Sequence, residues 1–146
     1  MYKAIVVGTD GSDRAAVAVK EAFAMAKITG AKVYAVHAVH PAATTGFSDV
    51  PGVAQATTTS LRDHADQVGT ELLAEAERQG VSIEVQNPEG DPADALISTA
   101  QAVEADLVVV GNRGMTGMKR FVLGSVPNKV SHHCPCSLLI VNTDAG

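Results

Sequence analysis

The stretch Val108–Val130, VVVGNRGMTGMKRFVLGSVPNKV, concentrates residue types that grip an anion. An apolar run stops at Gly111; Gly114, Gly117 and Gly124 follow, with Arg113, Lys119 and Arg120 among them and Ser125 at the end. Glycine lets a ligand approach the main chain without a Cβ in the way. Several glycines ahead of a helix N-terminus make a nest of N–H groups with partial positive charge, the chemistry that suits a phosphate. Taken alone, glycines in a loop also read simply as turns. A GxxxxGK[ST] loop and a GxGxxG fingerprint after the first strand are both absent, so neither standard nucleotide motif applies. A second candidate is TDGS, Thr9–Ser12: Asp10 can accept hydrogen bonds from sugar hydroxyls and would repel a phosphate, or it can cap a helix together with Ser12. In HHCPC, His132–Cys136, the plainer reading is a helix terminus broken by Pro135, with metal binding the weaker one. His37 and His40 read as structural, Met115 and Met118 as loop packing, and Asp106 as a surface turn residue.

The elements that must position these residues alternate in type. Lys3–Gly8 is a near-continuous apolar run, the mark of a strand buried on both faces. Ser12 then caps a helix whose Val19, Phe23 and Ala26 share a face and which Gly30 ends. A strand is expected over Lys32–Val39, a long loop from His40 to about Thr58, and a helix over Thr59–Gln79 with Leu61, Val68, Leu72 and Leu73 inward. VSIEVQ, Val81–Gln86, alternates as a strand. Asp91 caps a helix with Pro92 in its first position and Ala95, Leu96, Thr99 and Val103 inward. The strand DLVVVG, a helix opening at Gly124 or Ser125 and ending near Cys134, and the strand SLLIVN complete the chain.

Strands alternating with helices imply an α/β fold: one doubly wound open sheet of five parallel strands with helices on both faces. Strand order 3-2-1-4-5 sets the first and fourth strands side by side where the winding reverses, the place at which such sheets bind ligands. The TDGS and glycine-rich loops then meet there.

Composition bounds the function classes. The 146 residues make about one domain, 46% hydrophobic and 18% charged. A formal net charge of -5 argues against a nucleic-acid binder, and no apolar run reaches the roughly 20 residues of a membrane span. MYKAIVVGTD has no signal-peptide layout, and two cysteines one residue apart fit a reduced, cytoplasmic setting.

The spacing Gly111-x2-Gly114-x9-Gly124-Ser125, with GTDGS after the first strand and the C-terminal LGSVPNKVSHHCPCSLLIV, resembles the nucleotide-binding universal stress proteins over residues 1–146. The resemblance implies a Rossmann-like homodimer that binds ATP or another adenine nucleotide (ADP, AMP or cyclic AMP), with Mg2+ as an optional companion. By position it sets Asp10, with Thr9 beside it, at the adenine and ribose side, Ala38 at the adenine edge through main chain, and Gly111 under the ribose beside Val110. It sets Arg113, Gly114, Gly124, Ser125 and Val126 around the phosphates. Dimerisation is expected through Ser137–Asn142, too apolar for a bare edge. Asp10 is the one acid near the site, with no second carboxylate to hold Mg2+, so binding in a sensor or regulator is favoured over turnover. A slow ATPase or self-phosphorylating enzyme is the alternative, and a family module that works through protein contacts alone is the third reading.

Overall fold

The computed structural model describes residues 1–39, 53–113 and 123–144, with backbone only for 53–59. His40, Gly114, Met115, Met118, Lys119, Arg120 and the first part of the expected long loop lie outside the described residues. The element order is β1 (Ala4–Gly8), α1 (Asp13–Thr29), β2 (Lys32–Val36), α2 (Val53–Gln79), β3 (Ile83–Gln86), α3 (Pro92–Ala102), β4 (Leu107–Gly111), α4 (Ser125–His133) and β5 (Ser137–Val141). The strands form one parallel sheet in the order β3-β2-β1-β4-β5.

The chemistry of the strands explains the two-sided packing. Alternate side chains of an extended chain point to opposite faces. Ile5, Val7, Val33, Ala35, Leu107 and Val109 meet α1 and α2 on one face, through Ala18, Val19, Ala22, Phe23, Ala26 and Ala76. Val6, Val36, Val108 and Val110 meet α3 and α4 on the other, through Ala93, Leu96, Ala100 and Val130. With both faces covered, β1 and β4 carry only apolar residues.

Local signals hold the ends. Ser12 accepts from the Ala15 N–H, Gly30 closes α1 at φ 75°, and Asp91 caps α3 ahead of Pro92. Asp106, expected as a mere turn residue, joins the starts of β1 and β4: its Oδ2 accepts from the N–H groups of Lys3 and Ala4 at 2.7 and 3.0 Å. Those two bonds hold its carboxyl below its ordinary pKa.

Five expectations need correction. The α2 helix begins at Val53, six residues before Thr59. Its inward face is Ala65, Val68, Gly69 and Ala76 with Leu72 half-buried, whereas Leu73 is 49% exposed. Neighbours on a helix point about 100° apart, so Leu72 and Leu73 cannot both face the sheet. Regular β2 stops at Val36 instead of Val39, although Val39 still bridges to Glu89. That bridge consists of the Val39 N–H donating to the Pro88 carbonyl and the Gly90 N–H donating to the Val39 carbonyl, while Pro88 itself has no N–H to continue the ladder from β3. Finally, β3 starts at Ile83, because the Val81 N–H turns back to the Ala76 carbonyl and finishes α2. On α3, the buried positions are Ala93, Leu96, Thr99 and Ala100, with Ala95 and Val103 only half-buried.

Candidate functional site

At the carboxyl ends of β1 and β4, where the winding reverses, the chain encloses a cavity of about 180 Å³. A single water needs about 10–15 Å³ of such space, so the cavity has room for a small ligand. Thr9, Asp10, Ala38, Val110, Gly111, Arg113, Gly124, Ser125 and Val126 all line it. The sequence had singled out each of these, and the topology brings them together from three loops. Gly114 is the remaining member of that set and lies outside the described residues.

At one end, Thr9 and Asp10 follow β1. The Thr9 N–H donates to the Val36 carbonyl, tying the loop to β2. Asp10 Oδ1 accepts from the Ser12 N–H at 2.9 Å, so the carboxylate also shapes the turn into α1, alongside the Ser12 cap. Gly11 holds φ +81°, and a Cβ there would come within 2.6 Å of Val68 Cγ2 and 3.0 Å of His64 Nε2. Conformation and space both demand glycine at that position.

The opposite end is the start of α4. Gly124 is its N-cap and supplies no side-chain cap. The Gly124 N–H donates to the Asn112 carbonyl, so the next N–H groups, on Ser125 and Val126, open the helix. Pro127 follows without an N–H. First-turn N–H groups have no partner within the helix and carry its partial positive charge.

The C-terminal segment holds this end in place. Asn112 Oδ1 accepts from both the N–H and the hydroxyl of Thr143 at 2.9 Å, and the Asn112 N–H reaches the Val141 carbonyl. Thr143 Cγ2 then lies 3.0 Å from where a Gly111 Cβ would be. Packing against Thr143 therefore leaves little room for a side chain at 111, before any ligand is considered. The Arg113 guanidinium, 10% exposed, pairs with Asp144. This ion pair, and the Asn112–Thr143 clamp, were invisible in the sequence because the partners lie 31 residues apart.

The apolar floor was also missed: Gly8, Ala15, Val36, Pro92, Leu96 and Pro127 complete the lining. Gly8 faces Leu96, whose Cδ1 lies 3.0 Å from a Cβ built there. The usable signal was positional, since Gly8 and Val36 end strands that the switch point brings side by side.

Behind Asp10, on the other face of the sheet, His37 is 7% exposed, and its Nδ1 has no hydrogen-bond partner among the described residues. Its ring meets that of His64 edge-on, centroids 5.6 Å apart. Burial first, and His64 second, push the His37 imidazole below its ordinary pKa, against the opposing pull of Asp10. Expected to be structural, His37 does pack as a core group.

Among the described residues, no three His, Cys, Asp or Glu side chains converge as a metal site, and no helix is long and apolar enough to cross a membrane.

The family model described as "Universal stress protein family" matches residues 1–142. The chain is 35% identical to universal stress protein MJ0531 of Methanocaldococcus jannaschii, over 97% of this chain and 82% of that protein. It is 36% identical to universal stress protein Rv1636 of Mycobacterium tuberculosis, over 97% of each. A crystal structure of a universal stress protein in complex with cAMP aligns over 98% of both chains at 33% identity, with a TM-score of 0.73. Fold, switch-point cavity and kinship agree: the chain belongs to the universal stress protein family.

Proposed function

We propose that the chain binds an adenine nucleotide in the switch-point cavity and serves as a cytoplasmic sensor or regulator in the stress response. The observation that carries this reading is the polarity of one cavity: a carboxylate at Asp10, a helix N-terminus at Gly124–Val126, and an apolar floor between them. The floor takes the base, Asp10 accepts from ribose hydroxyls, and the α4 N–H groups face the phosphate. Ala38 main chain reads the adenine edge, and Thr9, Val110 and Gly111 bracket the sugar.

Within this reading the foremost ligand carries a single phosphate, cyclic AMP before ATP. Pro127 leaves two N–H groups at the described helix opening, and the relative at 33% identity was crystallised with cAMP. Asp10 is the only carboxylate among the described lining residues. Any Mg2+ would therefore arrive on the phosphates of a longer nucleotide, and binding without turnover is the proposed role. The chain is proposed to pair with a second copy through Ser137–Asn142: β5 is a sheet edge with no charged residue, whereas β3 at the other edge carries Glu84 paired with Lys32.

The test is calorimetry of adenosine, AMP, cyclic AMP and ATP with the wild type and Asp10→Asn. Asparagine keeps the oxygen that accepts from the Ser12 N–H but removes the charge. Adenosine and the nucleotides should weaken together. A loss confined to the phosphate-bearing ligands would show the pocket to be reversed, and no binding of any of them by the wild type would refute the function.

A further inference from the structure

The sheet end opposite the nucleotide cavity carries a second cluster with ligand chemistry. Where α4 hands over to β5, Cys134 and Cys136 flank Pro135, both half-buried against the α3 and α4 side of the core. Their sulfurs lie 3.9 Å apart, and both thiols are directed at the Ser137 carbonyl, at 4.0 and 3.6 Å. Pro135 fixes its own φ, so the link between the two cysteines is stiff.

Two converging sulfurs have two uses, and the distance chooses between them. A disulfide needs sulfurs about 2.05 Å apart, which means closing by about 1.9 Å across a rigid proline. A cation held linearly by two thiolates, with metal–sulfur bonds of about 2.3 Å as in zinc thiolates, needs them about 4.6 Å apart, an opening of about 0.7 Å. That opening is the smaller of the two displacements.

The donor set chooses the ion. Zinc sites take three or four protein ligands. The described residues offer no third His, Cys, Asp or Glu to this pair, although His132 and His133 are adjacent in sequence. Soft thiolates select soft ions. We propose that Cys134 and Cys136 form a two-coordinate site for a soft monovalent cation of the copper(I) class. Each thiol releases its proton to solvent on ligation, and the two thiolates and one cation leave a single negative charge at the start of the edge strand. Nothing in this site depends on the nucleotide reading.

The experiment titrates copper(I), under reducing and anaerobic conditions, against a chromophoric chelator. It compares the wild type, Cys134→Ser, Cys136→Ser and the double variant His132→Gln/His133→Gln, with X-ray absorption on the loaded wild type. One copper per chain is expected for the wild type and the histidine variant, with a first shell of two sulfurs. Each serine variant should lose stoichiometric binding. Retained binding in either serine variant, loss in the histidine variant, or nitrogen in the wild-type first shell would overturn the proposal. The absorption measurement needs no substitution, so it decides even where a variant folds poorly.

Discussion

Ser125→Pro tests the anion end of the cavity with unusual selectivity. Ser125 is the first helical residue of α4, the position at which proline is favoured, because its missing N–H has no partner within the helix. The preceding Gly124 already sits at φ -62° and ψ 163°, the extended conformation a following proline requires. The fold should accept the change, and unfolding stability should hold or rise by about 0.4–1 kcal/mol through a stiffer unfolded chain. The ligand should not accept it. One hydrogen bond to a charged group is worth about 1.5–3 kcal/mol. At about 1.4 kcal/mol per tenfold, losing the N–H weakens cyclic AMP by roughly 10- to 150-fold. Ser125→Ala removes the hydroxyl and keeps the N–H, so the difference between the two variants isolates the main-chain contribution. Adenosine, lacking phosphate, should bind both variants as it binds the wild type. Calorimetry with the two ligands, beside a urea melt, makes the comparison. Equal weakening of adenosine and cyclic AMP, or no weakening of either, would refute the placement of the phosphate at α4.

Two further outcomes follow from the packing around the cavity. Gly111→Ala sets a Cβ about 3.0 Å from Thr143 Cγ2, which Asn112 holds in place, and should cost about 1–3 kcal/mol as overpacking. Thr143→Ser removes that methyl and keeps the hydroxyl, so the alanine should cost less in that background, and simple additivity in a denaturant double-mutant cycle would contradict the contact. His37 titrates at a depressed value in the folded chain, so the unfolded chain binds more protons near its ordinary 6.5. The stability this group withholds from its protonated form is intact above that value and lost as the pH falls below it. Urea midpoints should therefore fall less for His37→Gln than for the wild type between pH 7.5 and about 5.5, and parallel falls would show that His37 titrates freely.

The sequence was most legible where one physical requirement acts over a few adjacent residues. A strand covered on both faces must be apolar throughout, so AIVVG and LVVVG announce themselves, and Ser12, Gly30 and Asp91-Pro92 punctuate the helices by local hydrogen bonding. The loops at the switch point carried polar groups and glycines with no scaffold purpose in a strand-helix reading. What stayed hidden depends on distance along the chain. Leu96 and Val36 look like any core residues until the sheet order sets them beneath the same cavity. Asp144 looks like a tail residue until β5 delivers it to Arg113. The start of α2 was hidden for a different reason: VAQATTTS offers β-branched threonines and no capping acid in its first turn, so its helical conformation is not signalled by its own residues.

The pairing of Arg113 with Asp144 bears on how this cavity would attract the proposed anion. A guanidinium whose charge is matched by a carboxylate contributes little net field, although it can still orient a ligand through its remaining N–H groups. With Asp10 also in the lining, the described side chains of the cavity sum to no positive charge. Among the described residues, the attraction for the proposed phosphate therefore comes from oriented dipoles, the opening N–H groups of α4, backed by a helix of nine residues. Dipoles fall off faster with distance than charges, and they reward an anion held close and in one orientation. In the proposed reading such an end discriminates by geometry, favouring a compact phosphate anchored by its own nucleoside over a long, mobile polyphosphate. The same logic accounts for the rigidity around it. Asn112 is clamped by Thr143 and Val141, Gly124 is tied to Asn112, and Gly111 is packed on Thr143, which in the proposed reading keeps the N–H groups aimed, as a dipolar site requires.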